Sequence, residues 1–164
     1  GQGELLLSPA AMLTLYCAAA YDGSYALPTA VSGTLSGGRF TPVSERGRTR
    51  VMSAKTAKKL REYLSAVITE GTGTAAKPKS VIAAGKTATA QTGKNENGKE
   101  ICEGWFCGFF PADEPEYTVI VFSENINKQS KSCAEIFAGI ADRVCERIAK
   151  LKFKPSAAGD SVRP

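Results

Sequence analysis

Apolar residues recur at helical spacing in three parts of the chain, and each part begins with a helix-capping signal. Ser8 precedes Pro9, an order typical of an N-cap followed by proline in the first turn. Ser53 precedes the second part, and Ser132 with Glu135 forms a capping-box pattern before the third. The apolar positions of the three predicted helices are Met12, Leu15, Tyr16 and Ala19 before a stop at Asp22-Gly23, then Ala57, Leu60, Leu64, Val67 and Ile68 before a stop at Gly71, and finally Ile136, Ile140, Val144, Ile148 and Leu151.

Between the second and third helices, three runs of residues predict β-strands. Residues 81–91 are rich in Thr and Ala, and the Asn97-Gly98 pair that follows is a hairpin signal. Residues 101–110 are aromatic and β-prone. After a turn at 111–116, the run 117–122 is almost continuously apolar, which predicts a central strand covered on both faces. The order helix, helix, three antiparallel strands, helix predicts an α+β fold with an antiparallel sheet packed between helices.

The other segments are polar. Residues 32–50 are rich in Gly, Ser and Arg and predict a loop with a short strand near 41–43. Residues 155–164 predict a disordered tail, so we expect the folded part to span residues 1–154. A hydrophobic fraction of 43% with 23% charged residues suits one globular domain.

The net charge of +5 raises the question of an anionic partner such as nucleic acid or a membrane surface. The basic residues are scattered apart from one group, Arg39, Arg46, Arg48 and Arg50. A solvated surface is therefore the preferred interpretation, and no nucleic-acid partner is predicted. No run approaches the 18 apolar residues that a membrane-spanning helix needs.

The chain contains five cysteines and no histidine, which excludes a Ser-His-Asp triad and a Cys-His dyad within it. No C-x-x-C pair is present, and the closest cysteines are Cys102 and Cys107, so zinc is not predicted. An odd number of cysteines at unpatterned positions does not suggest a disulfide framework. Cys17, Cys133 and Cys145 lie on predicted helix faces and are expected to act as small buried hydrophobes.

Two glycine patterns superficially suggest nucleotide binding. Gly85-Lys86-Thr87 lacks the glycine that a phosphate-binding loop needs five residues earlier, where Ser80 stands. Residues 71–76 fit a loose dinucleotide pattern, but they follow a predicted helix instead of a strand. The first pattern is better explained as part of a strand, and the second as a helix stop followed by a connector.

Residues 84–91, with the sequence AGKTATAQ, are more informative. They resemble the third motif of the penicillin-recognising serine enzymes, Lys-Thr-Gly on a strand, written A-G-K-T-G-T-A-Q in penicillin-binding proteins. Three further patterns of that family occur in the family's order. They are G-Q-G with L-S-P at residues 1–3 and 7–9, G-T-G-T-A at 71–75, and W-F-x-G-F-x-P at 105–111. The resemblance covers nearly all of residues 1–123.

The predicted strand has the chemistry that this motif needs. Strand alternation places Lys86 and Ala88 on one side, and Thr87 and Thr89 on the other. Small side chains on an edge strand leave the backbone open to an extended peptide. Lys86 supplies a positive charge, and the two threonine hydroxyls can bind a carboxylate. The resemblance implies that the N–H of Thr89 helps to form an oxyanion hole. Without the resemblance, a core strand with one solvated lysine would be the simpler interpretation.

The sequence departs from the family pattern in two respects. Ala88 stands where the motif usually has glycine, a change that we expect to be tolerated because alanine is small. No serine in the chain has lysine three residues later, so the nucleophile motif S-x-x-K is absent. Ser123-Glu124-Asn125 matches the second motif, S-x-N, in letters only, because the family places that motif before the lysine.

The resemblance implies that the chain is the C-terminal portion of a transpeptidase domain, without catalytic residues of its own. In the family, two further sheet strands and the serine-bearing helix come from the N-terminal part of the domain. The expected substrate-binding residues are Lys86, Thr87, Ala88 and Thr89. Without the missing half, we expect the chain to self-associate.

The resemblance also implies an activity for the intact protein. It would be a serine D,D-transpeptidase that cross-links peptidoglycan stem peptides through an acyl-serine intermediate, outside a cytoplasmic membrane to which an N-terminal segment anchors it. β-Lactams would bind at the same site, and neither metal nor organic cofactor is implied. A D,D-carboxypeptidase, a β-lactam sensor and a non-catalytic binding module remain alternatives.

Overall fold

A computed structural model describes residues 5–44, 47–128 and 130–152. Three helices and seven strands occur there, with two short 3₁₀ turns at Thr74–Ala76 and Ile126–Lys128. In chain order the elements are α1 (Pro9–Ala20), β1 (Ser24–Tyr25), β2 (Gly33–Ser36), β3 (Arg39–Pro42), β4 (Thr49–Arg50), α2 (Ala54–Thr69), β5 (Ala84–Glu96), β6 (Lys99–Phe110), β7 (Tyr117–Ser123) and α3 (Cys133–Lys152). The predicted tail at 155–164 lies outside the described residues.

The predicted helix starts are confirmed. The Ser8 hydroxyl accepts a hydrogen bond from the N–H of Ala11, so α1 has the predicted N-cap. Ser132 and Glu135 form the reciprocal capping box at α3, with the Glu135 N–H donating to Ser132 and the Ser132 N–H to the Glu135 carboxylate at 2.7 Å. Ser53 caps α2 by the same geometry as Ser8.

The main sheet has the antiparallel order β5-β6-β7, which corrects two strand predictions. Among the three described strands the middle one is β6, whereas the sequence pattern indicated residues 117–122. Two consecutive hairpins place the second of these three strands between the other two. The first strand begins at Ala84 rather than at residue 81, and its hairpin extends past residue 91 to a turn at Asn97-Gly98.

A second hairpin occupies part of the predicted loop at 32–50. Strands β2 and β3 pair across Gly37 and Gly38, whose φ angles of 54° and 76° suit a tight hairpin turn. Leu35 lies opposite Phe40, so two apolar side chains pair across the hairpin, whose register the two-residue turn sets. The short strand predicted near 41–43 therefore overlaps the second half of a complete hairpin.

Arginines of the basic group stabilise the corner after α1. The Arg48 guanidinium lies 3.9 Å from the Tyr21 ring centre and donates to the backbone oxygen of Ser24. Arg50 pairs with the Asp22 carboxylate at 2.7 Å. These contacts connect β4 to β1, so part of the basic group has a structural use. Arg46 lies outside the described residues.

Apolar side chains cover both faces of the main sheet. On one face, Phe106 and Phe110 pack against Phe137 of α3, and the ring centres of Phe106 and Phe137 are 4.6 Å apart. On the other face, Phe109 packs with Ala20 of α1 and with other residues of a second cluster. Burying each phenylalanine contributes about 1.5–3 kcal/mol, so these contacts fix the sheet between helices. The predicted α+β layering is confirmed.

A single carboxylate fixes the segment that leads into β5. One oxygen of Asp142 in α3 accepts hydrogen bonds from the backbone N–H groups of Lys79 and Ser80 and from the Ser80 hydroxyl, at 2.8, 2.9 and 2.6 Å. These donors favour the charged carboxylate and lower the pKa of Asp142, with the Ser80 hydroxyl contributing most.

We expect Asp142→Asn to lower the melting temperature at neutral pH, with the difference from wild type shrinking below about pH 4. A depressed folded-state pKa stabilises the fold above the unfolded-state pKa, and this stabilisation disappears as pH falls through the folded-state value. The site is exposed, so the effect should be about 1 kcal/mol or less. Thermal unfolding across this pH range measures it. Asp113→Asn, in an exposed turn, is the control, and equal pH dependence in all three proteins would contradict the prediction.

Candidate functional site

The four predicted binding residues lie next to one another on β5, opposite β6. In register order, Lys86, Thr87, Ala88 and Thr89 face Cys107, Phe106, Trp105 and Gly104. Within the described ranges β5 pairs with β6 alone, so its other edge is open, as the small-residue composition predicted.

The open edge carries backbone groups of the two threonines. The amine of Lys86 donates to the backbone oxygen of Thr87 at 2.9 Å, which indicates that this carbonyl points away from β6. In an antiparallel pair, the N–H and C=O of one residue point to the same side, and the direction alternates along the strand. Thr87 and Thr89 therefore both direct their backbone N–H and C=O groups towards the open edge.

The Lys86 ammonium has three oxygen partners. Besides the Thr87 carbonyl, these are the Thr87 hydroxyl at 3.2 Å and the Thr72 hydroxyl at 3.3 Å. Alternation correctly separates the Cβ atoms of Lys86 and Thr87, but the long lysine side chain bends round the open edge and returns to its neighbour. The two hydroxyls are themselves 3.5 Å apart.

Thr72 was not among the predicted site residues. It lies 14 positions before Lys86, in the connector after α2. Its segment contributed to the family resemblance, but neither periodicity nor local spacing indicates that this hydroxyl reaches β5. A three-dimensional contact between a connector and a strand edge has no signal in a single sequence.

No carboxylate among the described residues neutralises the charge of Lys86. In the part of the chain that the structure describes, the ion pairs are Arg50 with Asp22 and Lys128 with Glu96. The side chain of Lys86 is exposed and its partners are neutral oxygens. Such an ammonium beside hydroxyl groups can bind an anionic group.

A depression of about 320 Å³ lies beside the motif, between the sheet and the start of α3. Thr87, Ala88 and Thr89 form one wall, and Trp105 with Gly104 lies next to them. The backbone of β6 at Gly104 lies close to the Ile126 side chain, since a Cβ on Gly104 would be 2.3 Å from it. The methyl group of Ala88 is half-buried at this wall.

We expect Ala88→Gly to change the rate of β-lactam acylation of the intact protein by less than about threefold, while lowering its stability by about 0.5–1 kcal/mol through added backbone freedom. The methyl group borders the depression and makes no polar contact, so its removal alters only local shape. Stopped-flow acylation and thermal unfolding test the two parts. A tenfold gain in rate would show that the methyl group obstructs the ligand.

The S-x-N look-alike is at the far end of β7. The Asn125 amide donates to Glu96 at 3.2 Å and so connects to the β5–β6 hairpin. Asn125 also accepts a hydrogen bond from the N–H of Asn127. These contacts stabilise the turn before α3.

The cysteines are free thiols in the structure. Cys107 and Cys133 are buried, and burial raises the pKa of Cys107 to about 11, so it is not a reactive thiolate. Cys17 and Cys145 are half-buried.

No helix in the described ranges is long and apolar enough to cross a membrane. Among the described side chains, no group of His, Cys, Asp and Glu could hold a metal ion.

Comparison with known proteins assigns most of the chain to a family. The family described as penicillin binding protein transpeptidase domain matches residues 1–142. Peptidoglycan D,D-transpeptidase MrdA of Acinetobacter baumannii is 30% identical over 155 residues, which cover 87% of this chain and 23% of that protein. Penicillin-binding protein PbpB of Mycobacterium tuberculosis is 31% identical over 163 residues, covering 90% and 24%. The chain thus spans about a quarter of the length of these curated relatives.

Solved structures similar to this chain come from the same class of proteins. A crystal structure of penicillin-binding protein 3 from Mycobacterium tuberculosis, complexed with ampicillin, has a TM-score of 0.76 at 28% identity, covering 87% of this chain and 35% of that chain. The D,D-transpeptidase domain of a peptidoglycan glycosyltransferase from Eggerthella lenta has a TM-score of 0.65 at 27% identity, covering 89% and 33%. With the family match extending over most of its length, the chain belongs to the penicillin-binding protein transpeptidase family.

Proposed function

We propose that this chain is the part of a peptidoglycan D,D-transpeptidase that forms the wall of the substrate cleft opposite the nucleophile. Family membership supports this role. The observation that carries it is the position of Lys86 at the open edge of β5. Its ammonium has hydroxyl and carbonyl partners, and none of the described residues offers it a carboxylate. That edge has a positive charge, hydroxyl donors and free backbone groups in one place.

Each group in the wall has a part in ligand binding. The terminal carboxylate of a D-Ala-D-Ala stem peptide, or the carboxylate of a β-lactam, accepts hydrogen bonds from the hydroxyls of Thr87 and Thr89 and is attracted by Lys86. The peptide backbone adds to the open edge of β5 as a further strand. The N–H of Thr89 then donates to the oxygen of the reacting carbonyl, where one such donor is worth about 3 kcal/mol.

The reaction uses a serine supplied by another part of the same protein. The serine oxygen bonds to the carbonyl carbon of the penultimate D-Ala, the bond from that carbon to the terminal D-Ala nitrogen breaks, and the serine proton passes to the leaving amine. The amine of a second stem peptide then attacks the ester and loses a proton, while the serine oxygen is released and protonated. A β-lactam undergoes the first step only, because its leaving nitrogen stays tethered.

The substrate indicates where this chemistry takes place. Peptidoglycan is assembled outside the cytoplasmic membrane, so we place the intact protein on its outer face, anchored by a segment outside this chain. The family match and the D,D-transpeptidase relative support this location, since both concern proteins named for peptidoglycan or for penicillin binding.

The test uses the intact protein with a stem pentapeptide and an amine acceptor. We expect release of D-Ala and formation of the cross-linked product, with a fluorescent penicillin bound covalently to a serine outside these 164 residues. Release of D-Ala with transfer to water only would identify a D,D-carboxypeptidase. A covalent penicillin adduct without turnover would identify a sensor. The absence of both adduct and turnover would leave a non-catalytic module and overturn the proposal.

A further inference from the structure

Among the residues that the structure describes, the Lys86 ammonium contacts one segment other than its own strand, the connector after α2. Two of its three oxygen partners belong to Thr87, the next residue on β5, and move with that strand. The third is the Thr72 hydroxyl at 3.3 Å. Within the described ranges, Thr72 is thus the one residue outside β5 that holds the Lys86 ammonium in place by a hydrogen bond.

The backbone around Thr72 is held firmly. The N–H of Gly73 donates to the backbone oxygen of Val67 at 2.9 Å, so the connector folds back onto the last turn of α2. This approach requires glycine on both sides of Thr72. A Cβ on Gly71 would lie 2.9 Å from the Val67 Cα atom, and one on Gly73 would lie 2.9 Å from a Val67 methyl group. The helix, through these two glycines, determines where the hydroxyl lies.

The anchor of the connector is buried, although Thr72 itself is exposed. Ala76, four residues later, is fully buried in the core beside Phe137, and its N–H donates to the Gly73 oxygen at 2.8 Å. The Thr72 hydroxyl contacts Lys86 and Thr87 and takes no part in this core. Its removal should therefore change the position of the ammonium and leave the packing intact.

We propose that Thr72 is a positioning residue for Lys86, and this proposal rests on the function proposed above. A lysine side chain on an exposed strand has many accessible rotamers, so an unrestrained ammonium samples many positions. A fixed acceptor keeps the charge beside the hydroxyl of Thr87, where the ligand carboxylate arrives. Prearranged charges of this kind lower the barrier because they do not have to reorganise during the reaction.

The test compares Thr72→Val with Thr72→Ser in the intact protein, with a fluorescent penicillin as the probe. Valine keeps the branched shape and removes the hydroxyl, whereas serine keeps the hydroxyl. We expect Thr72→Val to lower the second-order acylation rate constant by about tenfold, the effect of one hydrogen bond with a charged partner. Thr72→Ser should retain most of the wild-type rate, and the melting temperatures of both variants should match wild type.

Thr74→Val is the matched control, because Thr74 is exposed in the same connector and its hydroxyl makes no hydrogen bond within residues 5–44, 47–128 and 130–152. Its rate should be unchanged. A Thr72→Val protein that acylates at the wild-type rate, or that loses as much rate with serine as with valine, would overturn the proposal.

A double-mutant cycle separates positioning from direct ligand contact. If Thr72 acts through Lys86, then Thr72→Val adds no further loss in a Lys86→Ala background. A full additional loss would mean that Thr72 binds the ligand itself, which contradicts the proposal. The two proposals also fail differently. A wild-type rate for Lys86→Ala would refute the proposed function, whereas a slow Lys86→Ala with a normal Thr72→Val would refute only the role of Thr72.

Discussion

Replacing Lys86 with alanine in the intact protein is expected to reduce the rate of β-lactam acylation at least about tenfold, or about 1.4 kcal/mol. The residue supplies a positive charge that no carboxylate neutralises within the described part of the chain. A unit charge about 4 Å from a ligand carboxylate contributes about 1 kcal/mol in water and about 4 kcal/mol at an effective dielectric constant of 20. Because Lys86 is exposed, the expected effect lies between these values. Stopped-flow measurement with a chromogenic β-lactam determines the rate.

Lys94→Ala is the matched control for this experiment. Lys94 is an exposed lysine on the same strand, beyond the motif, and its side chain makes no hydrogen bond in the described residues. Its replacement should leave the rate unchanged, which separates a local effect from a general loss of positive charge. Both variants should unfold at the wild-type temperature because both side chains are exposed. An unaffected Lys86→Ala protein would show that the motif assignment is wrong.

The sequence predicts the features of this fold that depend on local interactions. Helix starts at Ser8 and Ser132 are examples, because a cap needs only a side chain and a backbone N–H three residues away. The strand that carries Lys86 is another example. Its small residues predict an open edge, and the pairing with β6 agrees.

Features that depend on which elements meet were harder to predict. The apolar run 117–122 was expected at the centre of the sheet, although β7 pairs with β6 alone within the described residues. Helices packed on the two faces of a sheet can bury an apolar strand whether it lies at the edge or in the centre. Composition therefore does not distinguish an edge strand from a central one. The β2–β3 hairpin did have a local signal in Gly37-Gly38, which the abundance of Gly, Ser and Arg around it obscured.

The candidate site also combines residues that a local motif predicts with a residue that only a contact between distant segments brings in. The motif predicts Lys86 and Thr87 as binding residues because their order along one strand matches a family pattern. It does not identify Thr72, whose hydroxyl reaches the ammonium only because two glycines allow the connector to fold back on α2. Contacts of that kind become visible once the chain is folded.

The 164-residue chain by itself is expected to form no covalent adduct with penicillin. Acylation requires a serine with an adjacent general base, and none of its serines has lysine three residues later. Incubation with a fluorescent penicillin followed by mass spectrometry of the whole chain tests this. The intact protein under the same conditions is the positive control. A stoichiometric adduct on the chain alone would show that the nucleophile lies within it.

The same chain is also expected to self-associate at tens of micromolar. Strand β7 has one neighbour in the described part of the sheet, and an open strand edge is a template for pairing with a second copy. Large apolar side chains are exposed as well, with Leu15 of α1 at 47%, Leu35 at 73% and Phe40 at 56%. Light scattering over a concentration series measures the association. Replacing Leu35 and Phe40 together with serine tests the contribution of the hairpin, because association through the β7 edge or through Leu15 should persist in that variant. A monomer at all concentrations would contradict the prediction and would mean that neither the strand edge nor the apolar hairpin needs a partner.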